Sequence, residues 1–284
     1  MLSNQVKNMD ISFTKMHGLG NDFVVINAIT QAISLTSEQI RFIADRHFGV
    51  GCDQLLLVEK SDMADADFRY RIYNGDGGEV EHCGNGARCF AIFVREEGLT
   101  TKTEIPVITN NGRIVLNVKD DGMVTVDMGR PMLEPDQIPL IANERSNSYM
   151  LDIDGELITI GAVSVGNPHA VILAEDIDNA PVEQIGKALQ AEAYFPNSVN
   201  VGFMQILNRK QIKLRVYERG VGETQACGTG ACAAVISGHL QGLLDDEVDV
   251  NLLGGKLSIS WAGGENPVMM TGPTATVFKG TITI

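Results

Sequence analysis

The sequence predicts an α/β protein of the α+β type built as two pseudo-symmetric domains. Three observations carry this: short branched runs that read as strands, three helical segments, and a repeat that relates the two halves. The runs Phe23-Val-Val-Ile26, Leu55-Leu-Leu-Val58, Ile114-Val-Leu116, Ala170-Val-Ile-Leu173 and Lys213-Leu-Arg-Val-Tyr217 are bounded by Gly, Asn or Asp and read as strands. Helices are expected at 37–46, after Thr36-Ser37 with Glu38 in the first turn, at 84–97 after Cys83, and at 228–242 after Cys227.

The repeat decides the architecture. Tyr73-Asn-Gly-Asp-Gly-Gly-Glu-Val-Glu-His-Cys-Gly-Asn-Gly-Ala87 and Tyr217-Glu-Arg-Gly-Val-Gly-Glu-Thr-Gln-Ala-Cys-Gly-Thr-Gly-Ala231 share Tyr, Gly, Glu, Cys, Gly, Gly and Ala in register, 144 residues apart in a chain of 284. Upstream, Gly20-Asn-Asp-Phe-Val-Val-Ile26 has its echo in Gly166-Asn-Pro-His-Ala-Val-Ile172. Each half therefore carries Gly-Asn leading into a strand, then Cys-Gly-x-Gly-Ala opening a helix. Two similar domains facing each other would set the two cysteines on opposite sides of one cleft. Gly129, Pro131 and Pro135 place the boundary near Met128–Pro135, so the halves are 1–127 and 128–272.

The chain is long enough for two domains of ~100–150 residues, each with its own core. Hydrophobic residues make up 44% and charged residues 20%, as in ordinary globular proteins. A formal charge of -14 with no Lys/Arg-rich block argues against a nucleic-acid partner. No apolar run reaches the ~18–20 residues of a membrane helix, and the first residues lack the apolar core of a signal peptide, so a cytoplasmic protein is expected. Five cysteines, an odd number, suit a reducing compartment better than a disulfide scaffold. Their spacing is not that of zinc knuckles, no His falls in a metal-binding frame, and no metal is expected.

A glycine-rich turn before a helix attracts anions through its N–H groups and the helix dipole. Neither phosphate-loop signature is present, and a small carboxylate suits the same geometry. Cysteine in that turn is expected to have a lowered pKa, because the same N–H groups stabilise a thiolate. Two such cysteines, Cys83 and Cys227, can remove a proton from one face of an α-carbon and deliver another to the opposite face, which inverts the centre. No Lys sits in an obvious pyridoxal-phosphate setting, so no cofactor is called for. Cys89 and Cys232 lie within the helices and read as core, and Cys52 as structural.

The motifs together resemble the diaminopimelate epimerase family. They are Met16-His-Gly-Leu-Gly-Asn-Asp-Phe23, Gly49-Val-Gly-Cys-Asp-Gln54, Tyr73-Asn-Gly-Asp-Gly77, Cys83-Gly-Asn-Gly-Ala-Arg88, Gly166-Asn-Pro-His169, Pro196-Asn-Ser-Val-Asn200, Glu218-Arg219, Cys227-Gly-Thr-Gly-Ala231 and Met270-Thr-Gly-Pro273. The resemblance implies interconversion of LL- and meso-2,6-diaminopimelate in lysine and cell-wall precursor synthesis, without cofactor, by a homodimer. It implies that each domain is a mostly antiparallel sheet wrapped around a central helix, with the active site in the interdomain cleft and residues 273–284 returning to the first domain. Carried over by position, Cys83 and Cys227 become the acid/base pair, and the N–H groups of Gly84-Asn85 and Gly228-Thr229 hold the reacting carboxylate. Asn21, Gln54, Asn74, Asn167, Asn200, Glu218 and Arg219 become substrate contacts, while His169 and Glu218 tune the thiols. Arg219 is the candidate for a bidentate grip on the distal carboxylate. Glu79 and Glu223 also repeat, and are expected to accept backbone hydrogen bonds near the turns. Residues 1–8 precede the usual start and are expected to be disordered.

Two other readings compete. Proline and hydroxyproline racemases share the fold and the paired cysteines, but typically carry His where this chain has Asn85. A redox or binding protein could use Cys83 and Cys227 as a disulfide switch.

Overall fold

The computed structural model describes residues 9–80 and 83–284; the expectation of disorder for 1–8 lies outside the described residues. In chain order the elements are β1 (Asp10–Gly18), β2 (Asn21–Asn27), α1 (Ser37–Ala44), β3 (Gln54–Lys60), β4 (Phe68–Asn74), β5 (Glu79–Val80), α2 (Gly84–Glu96), β6 (Glu104–Thr109), β7 (Gly112–Val118), β8 (Val124–Asp127) and β9 (Tyr149–Ile153). They continue with β10 (Glu156–Ser164), β11 (Pro168–Leu173), α3 (Val182–Ala191), β12 (Asn200–Asn208), β13 (Gln211–Glu218), β14 (Gly222–Thr224), α4 (Gly228–Leu240), β15 (Glu247–Leu252), β16 (Gly255–Ser260), β17 (Met269–Gly272) and β18 (Ala275–Thr283). Two compact units result: the described residues up to Val124 with Pro273–Ile284, and Thr125–Gly272.

In the first unit the strands run β18-β1-β2-β3-β4, and the far edge of β4 takes β5 at one end and β6 at the other, with β7 beyond β6. In the second unit the order is β9-β10-β11-β12-β13, with β14 and β15 sharing the far edge of β13 and β16 following. Strand for strand the two plans coincide. Among the described residues two steps in each unit are parallel, β2/β3 and β4/β6 in the first, β11/β12 and β13/β15 in the second. Parallel neighbours need a crossover, and the four helices supply the four crossovers.

This explains the one helix that the sequence reading missed. Helix α3 is the counterpart of α1, but its cap is Pro181 with no side-chain hydrogen bond, whereas α1 has a full Thr36/Gln39 capping box. Gly186 further weakens its helical signature. That glycine is a packing requirement, since a Cβ there would come within 2.6 Å of the Tyr217 ring.

Helices α2 and α4 are the cores of their units. In α2, Phe90, Phe93 and Val94 are buried, and Phe90 meets Phe68 and Tyr70 edge-on at 6.1 and 5.3 Å. Helix α4 is buried along nearly its whole length by Ala231, Ala233, Ala234, Val235 and Ile236, so it is apolar on every side. Both end at left-handed glycines, Gly98 and Gly242, again 144 residues apart, which is why they stop at Glu96 and Leu240.

Close packing at the helix starts requires glycine. A Cβ on Gly86 would lie 2.6 Å from the Tyr70 hydroxyl, which donates to the Cys83 carbonyl. Although alanine is the better helix former, Gly86→Ala should destabilise the protein by about 1–3 kcal/mol. The urea midpoint would fall; an unchanged or raised midpoint would show that Tyr70 yields.

Candidate active site

Register across three strands assembles the candidate residues of each unit. In the first unit Phe23 pairs with Gln54 and Gln54 with Asn74, and Asn21 stands at the start of β2. Gln54 Nε2 donates to Asn74 Oδ1 at 2.9 Å. Cys83 is the extended N-cap of α2 and its side chain does not cap the helix. The Cys83 thiol instead faces Asn21 Oδ1 at 3.6 Å, and Asn85 Nδ2 donates to the same oxygen at 3.2 Å. Beneath them the loop leading to β3 is fixed by charge: Lys15 and Arg46 both bond Asp22, and Arg46 also bonds Asp53. Burial pushes the Asp22 carboxyl up, but Arg46 and Lys15 outweigh it and hold the group well below the usual carboxylate range.

In the second unit His169 pairs with Asn200, and Glu218 lies one residue beyond the Val201–Tyr217 pair. Cys227 is the extended, non-capping N-cap of α4. Its thiol donates to Glu218 Oε2 at 3.0 Å and lies 3.6 Å from Thr229 Oγ1, while Thr224 donates to Glu218 Oε1 at 2.5 Å. Asn200 donates to the Pro168 carbonyl at 3.2 Å and accepts the Arg219 N–H at 2.9 Å, so its amide chiefly fastens backbone. Arg219 uses one donor on the Asn197 carbonyl at 2.7 Å and is exposed, which leaves most of its guanidinium fork for a ligand. His169 is buried, its Nε2 lies 3.0 Å from Asn167 Oδ1, and its buried Nδ1 has no hydrogen-bond partner.

The electrostatics overturn one expectation. The Cys227 thiol is raised well above its usual range, not lowered. Burial is the main cause and the Glu218 carboxylate adds to it through its charge and its hydrogen bond. Thr229 and the Gly230 N–H pull the other way, so the helix-start effect is present and is outweighed. His169 is pushed down to about 3 by burial and then by the Arg219 charge, so it acts on its surroundings as a neutral imidazole. Cys89 and Cys232 are fully buried in the helices, and burial raises Cys52 to about 11.

Chemically, each unit presents a thiol at the head of a buried helix, with no acidic residue in the helix's first turn to oppose an incoming carboxylate. The sequence profile described as diaminopimelate epimerase matches residues 13–134 and 161–277. The chain belongs to the diaminopimelate epimerase family. It is 62% identical over 278 residues to the diaminopimelate epimerase of Thioalkalivibrio sulfidiphilus (strain HL-EbGR7), covering 97% of this chain and 100% of that protein. It is 58% identical over 274 residues to that of Teredinibacter turnerae (strain ATCC 39867 / T7901), covering 96% and 99%. Among solved structures, a PhzF-family phenazine biosynthesis protein of Bacillus anthracis matches with a TM-score of 0.70 at 18% identity, covering 97% and 100%. A hydroxyproline epimerase from Agrobacterium vitis matches at 0.68 and 14%, covering 97% and 93%. At those identities the likeness is one of fold, and it bears out the α+β class.

As a member of the diaminopimelate epimerase family the chain is an isomerase. Among the described residues no cluster of three His, Cys, Asp or Glu side chains could hold a metal ion, and no helix is long and apolar enough to cross a membrane. Glu79 and Glu223 have a different role from the one expected. They form two-pronged ion pairs with Arg71 and Arg215 that pin β5 to β4 and β14 to β13, just upstream of the thiols. The signal was in the repeat, because Arg71 and Arg215 stand two residues before the matched tyrosines. Arg88, fully buried within α2, was also passed over.

The Cys227 assignment has a direct test. Glu218→Gln removes the neighbouring negative charge, so the Cys227 thiol should become more acidic and its alkylation by iodoacetamide should begin at lower pH. A midpoint that stays put or rises would show that Glu218 does not set the thiol's acidity.

Proposed function

We propose that Cys83 and Cys227 are the two acid/base groups with which this epimerase interconverts LL- and meso-2,6-diaminopimelate, in lysine and peptidoglycan precursor biosynthesis. The observation that carries the proposal is the duplicated N-cap thiol, one in each unit, in the same strand–turn–helix register. One sulfur enters as thiolate and the other as thiol. The thiolate takes the α-proton, breaking Cα–H and forming S–H. The opposite thiol then gives its proton to the other face of the carbanion, and the negative charge ends on that second sulfur. No net oxidation occurs, and the reverse reaction exchanges the roles. The Glu218 carboxylate favours Cys227 as the thiol at the outset, with Cys83 as the base. An α-proton is weakly acidic, and the N–H groups of Gly84-Asn85 and Gly228-Thr229 would receive the charge that develops on the carboxylate.

Asn21, Gln54, Asn74 and Asn167 are proposed as contacts to the rest of the substrate, with Asn200 acting by holding the Arg219 backbone. Arg219 would take the distal carboxylate through the donors that Asn197 leaves unused. In this scheme 1–127 with 273–284 forms the half that carries Cys83, and 128–272 the half that carries Cys227. The active species is proposed to be a cytoplasmic homodimer, which light scattering after gel filtration would test; a monomer would refute that point alone.

Incubation in deuterated water tests the chemistry. LL-diaminopimelate should gain solvent deuterium at one α-carbon as the meso isomer appears, and L-proline should gain none. Cys83→Ala and Cys227→Ala should each lower the rate by about 100-fold or more. Deuterium entering proline alone would transfer the chain to the racemase reading, and near-normal turnover in either alanine variant would remove the catalytic pair.

A further inference from the structure

A line of hydrogen bonds with a charge at each end runs past Cys83. At one end is Arg88, fully buried in α2, whose Nη2 donates to Asn85 Oδ1 at 2.9 Å, with further bonds to the Gly84 and Pro273 carbonyls at 3.5 and 3.4 Å. Asn85 Nδ2 then donates to Asn21 Oδ1 at 3.2 Å. Asn21 Nδ2 in turn donates to Asp53 Oδ2 at 3.0 Å, and Asp53 is held by Arg46 at 2.7 Å and by the Asp22 N–H at 3.1 Å. The Cys83 thiol faces the shared oxygen of Asn21.

An amide side chain can be turned through 180° with little change of shape, and only its partners decide which way it points. Here the ends decide. A guanidinium can only donate, so the atom of Asn85 that meets Arg88 must be its oxygen. A carboxylate can only accept, so the atom of Asn21 that meets Asp53 must be its nitrogen. Each end alone sets the orientation of the amide next to it, and the Asn85–Asn21 bond makes the two choices agree. The consequence falls on the sulfur, to which Asn21 presents its oxygen and not its N–H.

We infer that Arg88 and Asp53 are positioning residues that jointly lock the Asn85–Asn21 amide pair so that Cys83 faces a hydrogen-bond acceptor. An acceptor favours the thiol over the thiolate, which makes the sulfur a stronger base once it is deprotonated. An N–H in the same place would give a more acidic thiol and a weaker base. This rests on the proposal that Cys83 is a catalytic thiol, but it concerns the acidity of the sulfur and is testable without turnover. Tyr70 on β4 and Cys89 on α2 interact electrostatically with Cys83, and neither takes part in the relay.

The test is a double-mutant cycle of Arg88→Met and Asp53→Asn. It is read as the pH midpoint of iodoacetamide labelling on the Cys83 peptide by mass spectrometry. Taken singly, each change removes one charge and leaves the other end in place, so the two midpoints should move modestly and in opposite directions, up for loss of the cation and down for loss of the anion. The double variant removes both charged ends of the relay while its charge effects largely cancel. Its midpoint should fall below the sum of the single shifts by about half a unit or more, the size of an ordinary coupling between residues in one network. Arg46 keeps its bidentate pair with Asp22 when Asp53 is replaced, so the loop stays anchored. If Arg88→Met does not fold, Arg88→Gln completes the cycle, since a glutamine can offer either atom to Asn85. Additive midpoints in folded variants would overturn the relay, as charge alone accounts for them. A coupled shift in an enzyme whose Cys83→Ala variant still turns over would uphold the relay and refute the catalytic role instead.

Discussion

The structure depends on burying a helix in each unit while leaving that helix's first turn without a side-chain cap. A helix begins with N–H groups that have no partner within it, and a protein ordinarily satisfies them with a side-chain cap. The first short helix does so, with Thr36 and Gln39 capping one another's backbone. The two central helices do not, because cysteine occupies the cap position and turns its sulfur elsewhere. Stability for these helices comes from burial on all sides, at roughly 1.5–3 kcal/mol for each large apolar side chain, and not from their ends. The cost of an uncapped start is thereby met along the helix, and the start itself keeps its N–H groups clear of a side-chain cap.

From this follows the need for rigid surroundings. The ion pairs Arg71–Glu79 and Arg215–Glu223 fasten the short strands ahead of each thiol, and close-packed glycines let the first turn of each helix approach the sheet. Such pairs contribute little to stability when exposed, yet their two-pronged geometry fixes position. In the first unit a second charged cluster of Lys15, Asp22, Arg46 and Asp53 does the same for the loop that leads to Gln54.

The halves share a plan but not an electrostatic environment. Where the first unit has Asn74 at the end of its fourth strand, the second has Glu218, which sets a carboxylate against the Cys227 thiol, whereas the Cys83 thiol faces the neutral amide of Asn21. The repeat gives the two thiols the same place in the fold, and the Glu218 carboxylate helps to raise the one at Cys227.

Much of this was legible in the residues. The 144-residue repeat, the strand runs, the two central helices and the cysteines that head them follow from local pattern, because periodicity, glycine turns and matched motifs are properties of the chain itself. The third crossover helix was hidden, since its glycine is dictated by the Tyr217 ring, a contact distant in sequence. The same limit applies to acidity. Helix position alone argues for a lowered thiol pKa, and only the fold shows that burial and Glu218 reverse the direction at Cys227. The sequence by itself determined the repeat, the class of fold and the cysteines that head the two central helices. The tertiary structure decided which partner each group meets and how far water is excluded from it, because desolvation and through-space charge depend on neighbours that no local pattern brings together.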